Sequence, residues 1–182
     1  MLKRVVPVDL LELEDAFDTY GYEISYYLDL QTGDVAAVTD EERSYLEKLF
    51  EELPEDTDFE ALDWPKITKE HAWPNWMADT LEVGCRVEIG FGTRYVSVPR
   101  DESRDAYGDI EDFIATVKNP WLRDRLEEAI RGKGAFSRFG DVLANHEGEQ
   151  ERWFAFKRER LRTRILAWLD DEGIEAVPKP HA

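Results

Sequence analysis

The stretch YEISYYLDLQTGDVAAV, residues 22–38, decides how the chain is read. Tyr22, Ile24, Tyr26, Leu28 and Leu30 recur at period two, a glycine-containing turn follows, and a second short apolar run completes the pattern of a β-hairpin. Glu23, Ser25 and Asp29 make the other face polar, which predicts a sheet covered on one side only. On the N-terminal side, Asp9 reads as an N-cap with Glu12 three residues on. Leu10, Leu13 and Phe17 share a face of that helix, Tyr20 lies at its edge, and Gly21 stops it. On the C-terminal side, Thr39 and Glu42 form a capping box for a helix to about Leu53, with Leu46, Leu49, Phe50 and Leu53 turned inward.

Further out, LPEDTDFEALDWPKITKEHAWPNWM, residues 53–77, has prolines at 54, 65 and 74 and tryptophans at 64, 73 and 76, and reads as an ordered loop held by its aromatics. LEVGCRVEIGFGTRYVSVP, residues 81–99, alternates like one or two strands, Val87–Ile89 and Tyr95–Val98, with Gly90 and Gly92 at a turn or bulge between them. After Pro99 the pattern is helical. Ser103 or Asp101 is placed to cap a helix whose Tyr107, Ile110, Phe113, Ile114 and Val117 form one stripe. Asn119 before Pro120 opens the next, with Leu122, Leu126, Ala129 and Ile130 inward. Two more helices are expected at about 135–144 and 149–171, ending at Gly173.

The expected fold class is therefore α+β. A small antiparallel sheet with N-terminal helices is followed by a four-helix C-terminal region. The chain reads as one domain, 1–182, with an α+β part over 1–100 and an all-helical part over 101–176.

With 42% hydrophobic and 35% charged residues, the 182-residue chain has the composition of a globular protein, and its apolar runs fall short of the roughly 20 residues of a bilayer span. The start of the chain lacks the pattern of a signal peptide, and the expectation is a cytoplasmic protein with no membrane partner. Cys85 is the lone cysteine, which excludes an intrachain disulfide and a cysteine-rich zinc site and fits a reducing compartment. The net charge of −18 is uneven: residues 1–79 hold 21 acidic and 6 basic side chains, a net −15. Residues 123–164 hold 11 basic and 8 acidic side chains, a net +3. Bulk nucleic-acid binding is disfavoured by this field, while a local basic patch stays open.

That patch would centre on GKGAFSRFGDVL, residues 132–143. The block fits neither a dinucleotide fingerprint, because Ser137 stands at the third glycine position, nor a Walker A loop, because glycine follows Lys133. Gly132 or Gly134 is expected to end one helix in a left-handed conformation, a structural turn. The alternative is an anion held at the following helix start by Lys133 and Arg138. Arg138 and Asp141, three apart, could equally pair with each other. In the last helix Phe154, Leu161, Ile165, Trp168 and Leu169 are read as one face with Arg158 within it. Arg158 should then meet Asp112 or Asp141, snorkel outward, or join the anion site. Phe156 falls on the opposite side and is expected to pack under a second layer.

GKGAFSRFGDVL, WFAFKRERL, AWLDDEGI and, near the N-terminus, YYLDLQTGDV together resemble the bacterial uncharacterised protein family numbered 0158 in the UPF series. The likeness is dense over residues 105–174 and looser over 8–38, and the segment 64–77 has no counterpart in it. The resemblance implies a basic residue where this chain has Gly140, which weakens an anion-binding role for the block. It implies no activity, cofactor or catalytic residue.

The residues themselves disfavour an enzyme: His71, His146 and His181 are isolated, and no metal-ligand spacing or nucleophile motif is present. No cofactor, metal site or catalytic residue is expected. The leading expectation is a non-enzymatic protein that binds another protein or its own copy, given the abundant aromatics and the long last helix. One alternative is anion, nucleotide or nucleic-acid binding through Lys133, Arg138 and Arg158. Another is an acidic protein that occupies a basic partner.

Overall fold

The computed structural model describes residues 3–19, 21 and 23–179. Tyr20, Tyr22 and His181, singled out above, lie outside them, as does the Ser103 side chain. Among the described residues are eight α-helices and five strands, an α+β protein with a small antiparallel sheet. None of these helices is long and apolar enough to cross a membrane. The chain divides into two compact units, one holding the residues up to Pro99 and those from Leu169 onward, the other Arg100–Trp168.

In the first unit, strand β1 (Arg4–Val8) leads to helix α1 (Leu10–Phe17), whose first turn is capped by the Asp9 carboxylate accepting from the Leu11 N–H. The hairpin forms as β2 (Ile24–Asp29) and β3 (Val35–Thr39), and β4 (Tyr95–Val98) joins the far edge of β2, giving the order β3-β2-β4. The capping box is present: Thr39 Oγ1 accepts from the Glu42 N–H, Glu42 accepts from the Thr39 N–H, and α2 (Asp40–Glu52) follows.

The sheet departs from the one-sided expectation. β2 is its central strand, and Tyr27 and Asp29 on one face are as buried, at 7% and 4% exposure, as Leu28 on the other. Val87 packs against Tyr27, Val38 and Tyr95, and Asp29 tolerates burial because Arg94 neutralises it.

Val87–Ile89 is not a strand. It belongs to helix α4 (Met77–Gly90), whose Met77, Leu81 and Cys85 are buried at spacings of four. Alternation over 83–89 fits either period, and that longer stripe decides between them. Gly84 does not break the helix; a Cβ there would come within 2.9 Å of Leu46 Cδ1, so its absence lets α4 approach α2.

The tryptophan-rich segment is likewise more regular than a loop. A 3-10 helix at Phe59–Ala61 precedes α3 (Trp64–Glu70), capped by the Asp63 carboxylate with Pro65 in its first turn. Trp64 is buried, Trp73 packs on Tyr45, and Trp76 stands exposed.

The sequence pattern carries the helical part on to residue 176. The last helix instead stops at Asp171, and β5 (Ile174–Pro178) pairs in parallel with β1, Arg4 opposite Ile174 and Val8 opposite Pro178. Gly33 in the hairpin turn sits against β1, where a Cβ would fall 1.4 Å from the Pro7 carbonyl oxygen.

The second unit holds four helices: α5 (Ser103–Thr116), α6 (Pro120–Ala129), α7 (Ala135–Leu143) and most of α8 (Glu147–Asp171). Ile110, Phe113, Leu122, Leu126, Phe139 and Leu143 pack into its core. Asn119 caps α6 as its spacing predicts. At α5 the cap residue is Glu102, without a side-chain bond, because the Asp101 carboxylate is engaged by Arg164 instead. The phase of α8 also differs from the sequence reading. Phe154 is exposed and Phe156 packs on the core beside Trp153 and Phe113. Arg158 therefore lies on the exposed face, and Arg160 and Arg164 are the guanidiniums turned inward.

Candidate partner-binding groove

The glycine corner is built around Arg138. Gly132 and Gly134 both adopt left-handed backbone angles, φ 77° and 76°. Between the end of α6 and the start of α7, the Arg138 guanidinium donates to the Ala129 carbonyl at 2.8 Å, the Arg131 carbonyl at 2.6 Å and the Lys133 carbonyl. Carbonyls left over at the end of a helix are thereby satisfied by one side chain. The hollow beside it, about 440 Å³, is lined by Arg125, Glu128, Ala129, Arg138, Asp141 and Val142, so two carboxylates offset its two arginines. Lys133 is exposed on the turn, and neither it nor Arg158 lines that hollow.

The inward arginines of α8 form a second charged cluster. Arg164 Nη2 lies 2.7 Å from Asp109 Oδ2 and 3.0 Å from Asp101 Oδ2, and its Nε lies 2.8 Å from Asp101 Oδ1. Arg160 binds Asp112 and lies 3.6 Å from Asp109. Burial pushes the Asp101 carboxyl above its ordinary range despite Arg164 beside it. Both charged ends of this cluster are engaged with each other, which makes it a brace and not an opening.

A cavity of about 810 Å³ opens elsewhere, in the first unit. One wall is α4, with Asp79, Glu82, Arg86 and Ile89 at offsets 0, 3, 7 and 10 along a single helical face. The opposite lip is the segment 57–65, which contributes Asp58, Phe59, Glu60, Leu62, Asp63 and Trp64. Asp58 and Asp63 are there as caps, accepting from the Glu60 and Lys66 N–H groups. The floor is apolar: buried Trp64 and Cys85, half-buried Phe59 and Leu62, and Ile89, which is 52% exposed.

Five carboxylates thus ring an apolar floor, against two arginines. Both arginines are engaged within the unit. Arg86 Nη2 lies 3.7 Å from Glu82, and Arg94, at one end, is held by the buried Asp29 through Nε at 2.9 Å and Nη2 at 2.6 Å. Burial raises the Asp29 carboxyl, but the hydrogen bonds from Arg94 and the Gln31 N–H more than offset it, and the group titrates below its ordinary value. Burial pushes the Cys85 thiol up to about 11, so at neutral pH it is a protonated, poorly nucleophilic part of the floor. Among the described residues no three His, Cys, Asp or Glu side chains converge to hold a metal ion.

The sequence reading did not single out this groove. Its carboxylates come from four separate segments, and the one trace they leave in the chain is the net −15 of residues 1–79.

A family profile described as Uncharacterised protein family (UPF0158) matches residues 78–180, more than half of the chain. The chain belongs to this family. The match takes in the α4 wall of the groove and every later element, but not the lip at 57–65. A UPF0158 protein of Pseudomonas aeruginosa is 24% identical over 177 residues, covering 97% of this chain and 90% of that one. Another from Chlamydia trachomatis is 25% identical over 170 residues, and one from Chlamydia muridarum 24%. The chain spans 41% of the length of each of these chlamydial relatives. No solved structure matches it at a significant level.

Proposed function

We propose that this UPF0158 protein is a non-enzymatic binding protein whose acidic groove takes a basic, amphipathic segment of a partner protein. The observation that carries this reading is the composition of the cavity: five carboxylates around an apolar floor, with both lining arginines already engaged. A segment with guanidinium or ammonium groups flanking apolar side chains matches both features, the charges steering the encounter and the floor supplying the contact area. The surrounding half of the chain, at net −15, extends the same field outward.

The test is a titration of the whole protein with a synthetic basic amphipathic peptide, followed by fluorescence anisotropy. The expected result is saturable binding that weakens with salt and is lost when Glu60→Lys and Glu82→Lys are combined. The matched control is Glu41→Lys with Glu47→Lys on α2, the same change of charge away from the cavity. Binding that responds equally to both pairs, or no saturable binding, overturns the reading.

A further inference from the structure

The outer face of α8 has the chemistry that the groove calls for. Phe154, Arg158, Arg162 and Leu166 follow one another at spacings of four, so they form one ridge along the helix. All four are exposed, Phe154 at 55% and Leu166 at 50%. Exposed Ala155 and Ala167 flank the two ends, where their small side chains leave room for a neighbouring surface. Two guanidiniums therefore stand between two large apolar groups, with Glu159 beside them.

The lengths correspond as well. Twelve residues from Phe154 to Leu166 extend about 18 Å at the rise of an α-helix. The groove wall from Asp79 to Ile89 extends about 15 Å on the same rule. A ridge with apolar ends and a cationic middle fits a trough whose floor carries Phe59, Leu62 and Ile89 and whose rims carry Asp58 and Glu60 on one side, Asp79 and Glu82 on the other. The unequal charge of the chain, net −15 over residues 1–79 and net +3 over 123–164, brings unlike regions of two copies together.

We infer that a second copy of this chain is the groove's partner, with the Phe154–Leu166 ridge of α8 from one molecule seated in the groove of another. The inference rests on the groove reading above and adds the identity of the occupant. Groove and ridge are different surfaces, so the contact is head-to-tail. It either closes when two molecules exchange it reciprocally or continues into longer assemblies.

A charge exchange tests it on the full-length protein. One variant carries Glu60→Arg and Glu82→Arg, giving a basic groove; the other carries Arg158→Glu and Arg162→Glu, giving an acidic ridge. Sedimentation velocity at low salt and about 100 μM, a range that registers weak interfaces, should show association of the natural chain. Each variant alone should raise the dissociation constant about tenfold or more, and mixing the two should restore association, because each altered surface then meets an opposite charge. All four substituted residues are exposed, and thermal melting followed by circular dichroism verifies the fold. If either variant misfolds, Glu82→Gln and Arg162→Gln replace the reversals, with a smaller weakening expected.

A natural chain that stays monomeric, variants that associate unchanged, or a mixture that fails to recover each overturn the inference. The groove reading has its own outcome: a monomeric chain that still binds the basic peptide through Glu60 and Glu82 keeps the groove and loses the second copy as its partner. A chain that binds neither loses both.

Discussion

In the helical unit, inward-turned arginines meet their counter-charges at once: Arg138 on three carbonyls, Arg164 on Asp101 and Asp109, Arg160 on Asp112. In the α+β unit one such pair, Arg94 with Asp29, sits at the end of a groove where the other carboxylates face outward around an apolar floor. The difference teaches that similar residue types serve two ends here. Charges enclosed with a partner govern stability, because removing one strands the other. Charges held at an open surface govern what can approach, and replacing them leaves the fold almost unchanged.

The largest expected effect lies in the α+β unit and involves no charge. Gly33→Ala should destabilise that unit by more than about 3 kcal/mol, because its left-handed φ of 75° disfavours a side chain and the Cβ would overlap the Pro7 carbonyl. Chemical denaturation measures it; a loss below about 1 kcal/mol would mean the hairpin turn does not press on β1.

Next comes Arg164→Ala, expected to cost about 3 kcal/mol by leaving Asp101 and Asp109 buried side by side. The loss should shrink as pH falls, since a carboxyl raised by burial favours the fold while protonated and loses that contribution as pH rises through its folded pKa. By contrast, the groove change Glu60→Lys should alter stability by no more than about 0.5 kcal/mol, as a surface substitution does. Equal losses for the two would erase the distinction between enclosed and open charge.

Arg138→Lys sharpens the comparison within the helical unit. An ammonium cannot reach three carbonyls in a plane, so a loss of about 1–2 kcal/mol is expected on melting even though the charge is kept. An unchanged melting curve would return Arg138 to the surface as a free cation.

What was legible in the sequence follows the range of the forces. The helices of the second unit and the box at Thr39–Glu42 are local patterns, and they form where the spacing puts them. The helix α4 was hidden because Gly84 and Gly90 look like turn residues until Leu46 is known to lie against Gly84. The pairing of β1 with β5 joins opposite ends of the chain, and no periodicity records it. In α8, aromatic and basic residues alternate too evenly for the stripe to fix its own phase, so Phe154 and Phe156 exchange places between pattern and structure. The resemblance to the uncharacterised family was legible from GKGAFSRFGDVL and WFAFKRERL, and it brought no site with it. The groove was not legible, because its lip and wall come together only through the packing of α4 beside the segment 57–65.

The smallest expected effect concerns His71, a charged contact of the α+β unit midway between enclosed and open. Its Nδ1 lies 2.9 Å from the Ile67 carbonyl and its Nε2 lies 2.9 Å from the Glu52 carboxylate, so both ring nitrogens face acceptors and the imidazolium satisfies both. The hydrogen bond to Glu52, then that to Ile67, raises its pKa above the ordinary 6.5. A raised histidine stabilises fully below 6.5, and that contribution disappears as pH rises through the folded value. Glu52 is exposed, so solvent screening limits the effect to about 0.5 kcal/mol at most. Trp73, whose ring lies 4.4 Å from the imidazole, supplies the readout. Its fluorescence should rise with a midpoint above 6.5 as the quenching imidazolium is lost, and Glu52→Gln should bring that midpoint down. A midpoint unmoved by Glu52→Gln would place His71 with the open charges, its geometry set by Trp73 and not by the carboxylate.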